Sequence, residues 1–333
     1  MFLDFYLSPR LLAALAAGLG LVVVLVLAGK IPLGYNVRNL LVRWPITLLT
    51  ALAFTLVVFL LTGMLAFVNG MARITEASGQ PGNVMILSEG ATDELFSTLV
   101  YSDMGNVDRQ PGILTDERGR PLSSREVYIV VNQPISTQQG ESGRRRFVQL
   151  RGVEDALTSS RVHGMELFPP GKWFSDAGVD AKKTSSGQPL IQAVLGEGVA
   201  RILGQDRHKE QLEIDDEFEL GPRKWIVTGI MKSAGSSFGS EMWAKRSIVG
   251  PMFGKEQLTC IVVSTQHGET AQTVAEDLRT NYKPAVRAEP ETEYYSKLSE
   301  TNKQFSGAIY FITIIMAIGG VFGVMNTMFA AIS

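Results

Sequence analysis

The chain has 333 residues, with 31 Lys+Arg against 33 Asp+Glu, a formal net charge of −2 and one cysteine. That balance leaves no basic field for a nucleic acid, and Cys260 alone cannot build a disulfide framework or a multi-cysteine metal site. Only 19% of the residues are charged, and the places where charge is missing organise the chain.

Three stretches hold no charge: Leu11–Ala28, Ile46–Val68 and Ala308–Ile332. The second would run about 35 Å as a helix, enough for a hydrocarbon core of about 30 Å. Uncharged runs this long read as bilayer spans rather than core helices, so three transmembrane helices are expected. Leu11–Ala28 has two readings. An uncleaved helix is favoured by its long apolar stretch, and a secretory signal ending at Val26-Leu27-Ala28 is the other.

The connection Gly29–Pro45 carries Lys30, Arg38 and Arg43 and no acid, which by the positive-inside rule puts it in the cytoplasm. The second span then leads out and the third leads back. The amino terminus lies outside as well. Val37, Leu40, Leu41 and Trp44 recur at helical spacing. They form an amphipathic turn at the cytoplasmic interface, with Trp44 at headgroup level and Arg38 and Arg43 near anionic lipid. A docking surface for a cytoplasmic partner is the alternative reading of the same turn.

Apart from Asp4, Arg10, Lys30, Arg38 and Arg43, every charged residue falls within 69–307. The expected architecture is therefore an extracytoplasmic α+β domain inserted between transmembrane helices. In chain order it comprises an extra helix in 1–33, a lead-in and second span in 34–68, the domain in 69–307, and a third span in 308–333. Strands are predicted at Asn83–Ser88, Val127–Asn132, Phe147–Val153, Leu212–Leu220, Lys224–Met231 and Leu258–Thr265. Helices are predicted at Glu197–Leu203 and Thr270–Asn281. The order suggests two lobes with the middle section inserted, and Ala181–Pro189 reads as a surface loop. Asn69–Gly79 and Glu291–Phe305 read as helical stalks that carry the spans into the domain.

Chemistry is sparse. His163, His208 and His267 lack metal-ligand spacing and sit in polar stretches, so each is expected on the surface. The acids at 213–219 lack calcium-loop spacing, and Arg144–Arg146 reads as an exposed hairpin flank. Ser233–Ser240 is polar and flexible in composition but lacks the lysine of a phosphate loop. No catalytic, cofactor-binding or metal-binding residue is assigned, and no enzyme activity is expected. If ATP drives this protein, another chain binds it. In the third span Gly319, Gly320 and Gly323 make a small-residue face suited to close helix packing, with Asn326 bonding across helices or facing headgroups. An alternative of another class is a membrane-anchored binding or sensor module.

One ordered set of segments carries a family resemblance. It comprises Asn36–Trp44, Ala77-Ser-Gly-Gln-Pro-Gly-Asn-Val-Met-Ile-Leu87, Phe147-Val-Gln-Leu-Arg-Gly-Val153, Trp225-Ile-Val-Thr-Gly-Ile230, Gly239-Ser-Glu-Met-Trp243, Glu293-Tyr-Tyr295 and Gly319-Gly-Val-Phe-Gly-Val-Met-Asn-Thr-Met-Phe-Ala-Ala331. Together it resembles MacB/FtsX-like ABC transporter permeases over about Asn36 to Ser333. The resemblance implies a multi-pass subunit of the bacterial inner membrane with a periplasmic core domain. It implies work with a separate cytoplasmic ABC ATPase and a second permease protomer, in places with a periplasmic adaptor. Mechanotransmission for export, lipoprotein extraction or cell-envelope work such as activating cell-wall hydrolases is what the resemblance implies. Leu11–Ala28 is extra relative to that pattern. The coupling segment and two further spans of such permeases are expected from a continuation of the chain or from another polypeptide.

Overall fold

The computed structural model describes residues 44–76, 78–134, 145–183, 187–233 and 235–298, together with 38, 41–42, 307–312, 314–316, 318–320, 322–323 and 325. Leu11–Ala28, Arg43 and Asn326 lie outside the described residues. The chain divides into two units, Met1–Met64 with Ile309–Ser333, and Leu65–Ala308.

Helix α1, Trp44–Glu76, has 33 residues, about 50 Å of backbone at 1.5 Å per residue. Leu48, Leu49, Leu52, Leu56 and Phe59 on it are exposed, as is Trp44. Several of its side chains, including those of Ala53, Phe54, Leu61 and Leu65, lie outside the description. Counting described residues only, no helix is long and apolar enough to cross a membrane. Further on, 307–312, 314–316 and 318–320 are helical. Among the described residues, no atom lies within 4 Å of a Cβ built at Gly319, Gly320 or Gly323.

The second unit holds ten strands, β1 Asn83–Ser88, β2 Ser123–Pro134, β3 Arg145–Val153, β4 Val179–Lys183, β5 Pro189–Gly196, β6 Glu217–Leu220, β7 Arg223–Met231, β8 Glu241–Lys245, β9 Cys260–Ser264 and β10 Val286–Pro290. Its helices are α2 Ala156–His163, α3 Glu197–Gln205, α4 Arg246–Met252, α5 Gly268–Asn281 and α6 Glu291–Leu298. In place of two separate lobes, one hydrogen-bonded path runs β10-β1-β9-β2-β3-β8-β5-β7-β6, with β4 on β5. The β3–β8 and β5–β7 pairs are parallel and the other pairs antiparallel.

Alternation assigns each side chain to a face. Val84 and Ile86 of β1, Val127 and Ile129 of β2, Val148 and Leu150 of β3 and Ile261 and Val263 of β9 point into the main core. Ala271, Val274, Ala275 and Leu278 of α5 cover that face, as do Val199, Ala200 and Leu203 of α3. The opposite face carries two smaller clusters, one around Met85, Leu87, Cys260 and Val262, the other around Val153, Val194, Met231 and Trp243. It is covered by α2, by Tyr294 and Tyr295 of α6 and by Phe238.

The predicted strands at 83–88, 127–132, 147–153, 224–231 and 258–265 correspond to β1, β2, β3, β7 and β9. Two expectations change. Ala181–Pro189 is not a loop throughout, because β4 extends to Lys183 and β5 begins at Pro189. Leu212–Leu220 is strand only from Glu217. Asp215 has φ 68°, and the Asp216 carboxylate takes the Glu213 N–H at 2.8 Å and the Lys209 ammonium at 2.7 Å, fixing a turn. The stalk at Glu291 is helical to Leu298, and 299–306 lie outside the described residues.

Candidate functional site

Between the two small clusters of the second face lies a seam of buried charge. Register explains its membership. Tyr128 faces Arg151 across β2–β3, Arg151 faces Trp243 across β3–β8, and Glu126 faces Cys260 across β2–β9. Glu241 lies two residues from Trp243 and so shares its face. Arg151 is 1% exposed and Glu126 fully buried, in positions whose parity alone would suggest a solvent face. They are covered because α2 and α6 close over this side of the sheet.

Arg151 is the hub. Its Nε and Nη2 donate to the two oxygens of Glu241 at 2.7 and 2.8 Å. Its Nη1 donates to Glu94 Oε2 at 2.7 Å and makes a short contact with Glu126 Oε2. The guanidinium also stacks over Tyr128, 5.1 Å from the ring centroid, and 5.7 Å from that of Phe238. Trp243 donates its indole N–H to Glu241 at 3.0 Å.

His163 extends the seam. It is the last residue of α2, a helix begun by the Asp155 carboxylate accepting from the Leu157 and Thr158 amides and ended at Gly164, whose φ of 64° suits glycine. His163 Nε2 lies 2.6 Å from Glu126 Oε1, and Nδ1 faces Glu291 Oε1 at 3.4 Å. Glu291 opens α6. Its Oε2 accepts from the Gln80 amide at 2.9 Å and from Asn83 Nδ2 at 2.8 Å.

Burial opposes the imidazolium, but the Glu126 and Glu291 carboxylates outweigh it and push His163 up to about 10. Burial likewise works against the Glu126 carboxylate, yet Arg151 and His163 hold it well below the usual range. Glu94 moves the other way, because burial and the neighbouring Glu241 and Glu126 exceed the pull of Arg151. Burial, followed by Glu94 and Glu126, pushes the Cys260 thiol up. The thiol stays protonated, and its single hydrogen is shared between Glu94 Oε2 and Glu126 Oε2, each 3.4 Å from the sulfur.

Glu94, Glu126 and Cys260 stand close enough to offer three ligand atoms to a cation. Arg151 Nη1 already occupies that space, in contact with both carboxylates and 3.9 Å from the sulfur. A divalent ion there would have to displace a buried guanidinium and deprotonate the thiol. His163 with Glu126 has the spacing of an acid–base pair. Both are fully buried, and no exposed nucleophile adjoins them among the described residues. The arrangement binds protein segments to one another.

The sequence-derived site residues lie elsewhere. Arg38 and Trp44 are exposed. The glycines at 319, 320 and 323 belong to the other unit. His163, expected on the surface, is buried because Glu126 and Glu291 supply charge that no local sequence window reveals. Ser233–Ser240, read as flexible, is held in place. Among its described residues, Ser233 bonds the Glu197 carboxylate and the Ser237 amide donates to Ser78 Oγ at 2.8 Å. Arg146 is not free on a hairpin flank but pairs with Asp206. Arg151, Glu241 and Tyr294 did fall inside segments that carried the resemblance.

The MacB-like periplasmic core domain family matches residues 47–281. No curated protein sequence matches the chain. Among solved structures the chain is similar to the extracellular domain of the noncanonic ABC-type transporter YknZ from Gram-positive bacteria, at 14% identity and TM-score 0.41, over 62% of this chain and 99% of that one. It is also similar to the periplasmic region of MacB from Actinobacillus actinomycetemcomitans, at 13% identity and TM-score 0.44, over 67% and 94%. With the family matched from α1 through α5, the chain belongs to the MacB-like periplasmic core domain family.

Proposed function

We propose that this chain is a permease subunit of an ABC transporter. In this reading, three spans hold it in a bacterial inner membrane with 69–307 outside. A separate cytoplasmic ATPase, acting on a pair of such subunits, drives movement of that domain. The role is mechanical and not enzymatic.

One observation carries the reading. The first and last segments of the domain meet at a single junction, where Glu291 binds the Gln80 amide and Asn83 side chain. Gly79 lies so close to Thr292 that a Cβ would stand 3.0 Å from its Cα. Gln80 follows the apolar helix α1, and α6 precedes the uncharged run 308–332. A domain whose first and last segments meet in this way is suited to follow relative motion of the chain segments that precede and follow it. Family membership supports the same reading.

The test is co-expression of the full chain with the cytoplasmic ABC ATPases of its own host. Co-purification with one of them and faster ATP hydrolysis in reconstituted membranes are expected. Failure to bind or stimulate any of them overturns the proposal. Added protease should cut 69–307 in intact spheroplasts and spare the stretch around Arg38.

A further inference from the structure

The charge in the buried seam does not balance. Among the described residues, four carboxylates, those of Glu94, Glu126, Glu241 and Glu291, meet two cations, Arg151 and His163. None of these six side chains is more than 7% exposed. The count already takes His163 as charged, and a neutral imidazole would widen the excess. An uncompensated ion in a dry interior is costly, and a proton is the ordinary remedy. Arg151 Nη1 fills the space that a metal ion would need.

Hydrogen bonding decides where the proton sits. Glu241 takes both arms of the Arg151 fork and the Trp243 indole N–H. Glu126 has Arg151 on one oxygen and the imidazolium on the other. Glu291 accepts from the Gln80 amide and Asn83 Nδ2 on Oε2 and faces His163 through Oε1. Glu94 is the least supported of the four. Its Oε2 shares Arg151 Nη1 and the Cys260 thiol hydrogen with Glu126. It is also the most exposed, at 7% against 0%, 3% and 0% for Glu126, Glu241 and Glu291.

The groups packed around Glu94 add no further cation. It lies in the 89–98 loop, between β1 and the bridge from Leu99 to Leu258. In that loop Asp93 is turned onto the Leu95 and Phe96 amides, at 2.9 and 3.2 Å. Lys255 donates to the Leu95 carbonyl, and Arg287 of β10 to the carbonyls of Ala91 and Thr92. The phenols of Tyr128 on β2 and of Tyr294 and Tyr295 on α6 are held neutral by burial, as is the Cys260 thiol of β9. Burial with Glu241 and Glu126 outweighs Arg151 and raises Glu94 above the ordinary carboxyl range.

We propose that the seam holds a proton on Glu94 at neutral pH, and that this neutral acid makes the fastening of the 89–98 loop to β2, β3 and β9 weaken as the surroundings turn alkaline. The sign follows from linkage. Folding raises the proton affinity of Glu94, so its contribution is complete below pH 4.5 and is lost as pH climbs through the folded value.

Infrared difference spectroscopy of the full chain in detergent reads the proton directly. It uses neither nucleotide nor ATPase, so it succeeds or fails independently of the transporter assignment. At neutral pH the parent minus Glu94→Gln spectrum should show the carbonyl stretch of a protonated carboxylic acid, and in the parent alone that band should fade as pH rises. Glu94→Gln should keep or exceed the parent's thermal midpoint at neutral pH, by a margin that widens with rising pH. Glu241→Gln, which breaks the fork, should lower the midpoint by several degrees. Absence of the acid band overturns the proposal. So does a Glu94→Gln variant that fails to fold or unfolds as early as Glu241→Gln, because a neutral isostere is what the seam is said to hold already. A margin that narrows with rising pH overturns it as well.

Discussion

Arg151 and Glu241 meet fork to fork across the parallel β3–β8 pair, Nε and Nη2 each on its own carboxylate oxygen at 2.7 and 2.8 Å. Two planar groups in this arrangement fix each other's orientation as well as their distance. The third nitrogen then gathers Glu94 and Glu126, so one side chain holds β2, β3, β8 and the loop after β1 in a common geometry. An apolar seam of similar volume would give equal or greater stability. What this one adds is directional contact between elements on the side where the two ends of the domain meet.

Removing the hub should therefore cost more than removing any single spoke. Arg151→Met leaves Glu94, Glu126 and Glu241 buried together without their cation, and a loss of about 3–5 kcal/mol is expected. Arg151→Lys keeps the charge but cannot form the fork, so it should fall between the two. Thermal unfolding followed by near-ultraviolet circular dichroism would read this, since the fully buried Trp225 and Trp243 report on β7 and β8. A lysine variant as stable as the parent would show that the fork adds nothing.

His163 makes the stability depend on alkaline pH. Its value rises from 6.5 to about 10 on folding. The contribution is complete below pH 6.5 and is lost as pH climbs through 10. Glu126 acts at the other end, its contribution disappearing as pH falls below the usual carboxylate range. Glu94, shifted upward, works in the opposite sense to Glu126. The thermal midpoint should drop between pH 6.5 and 10 in the parent and drop less in His163→Gln. Parallel slopes for the two proteins would remove His163 from the account.

Much of the sheet was legible because β1, β3, β7 and β9 are dense in β-branched and aliphatic residues. β4, with the sequence Val-Asp-Ala-Lys-Lys, and β8, with Glu-Met-Trp-Ala-Lys, have no such density. They are strands because long-range pairing with β5 and β3 makes them so. The charged seam was hidden for a related reason. Arg151 alternates with Val148 and Leu150 as a solvent-facing residue would, and only the cover of α2 and α6 turns that face inward. α2 itself, Ala-Leu-Thr-Ser-Ser-Arg-Val-His, has little helical propensity in its Thr-Ser-Ser centre and depends on its two caps.

Gly196 should tolerate no side chain. A Cβ there would stand 2.3 Å from the Phe238 carbonyl oxygen and 2.6 Å from that of Gly239, both backbone atoms that cannot rotate away. Gly196→Ala must push the 235–240 loop off α3 and disturb Phe238, which packs edge to face with His163 and Trp243. Overpacking of this kind costs about 1–3 kcal/mol or more. Gly105→Ala, whose Cβ would find only an ordinary contact at 3.8 Å, is the matched control. Equal unfolding midpoints for the two variants would mean that the loop yields freely.

Cys260 offers a direct reading of whether the seam stays closed. It is the chain's one cysteine, fully buried, and burial with the adjacent Glu94 and Glu126 keeps the thiol protonated. Because the thiolate is the reactive species, a maleimide should label the native chain very slowly at pH 7.5 and label one equivalent at once in denaturant. Arg151→Met should speed native labelling by roughly the factor by which it raises the open population, about a hundredfold or more for the loss argued above. Asp155→Ala, which weakens the cap of α2 by about 1 kcal/mol, should give only a few-fold rise. Rapid labelling of the parent would mean that the seam opens readily, and a rigid junction between the two ends of the domain could not then be maintained.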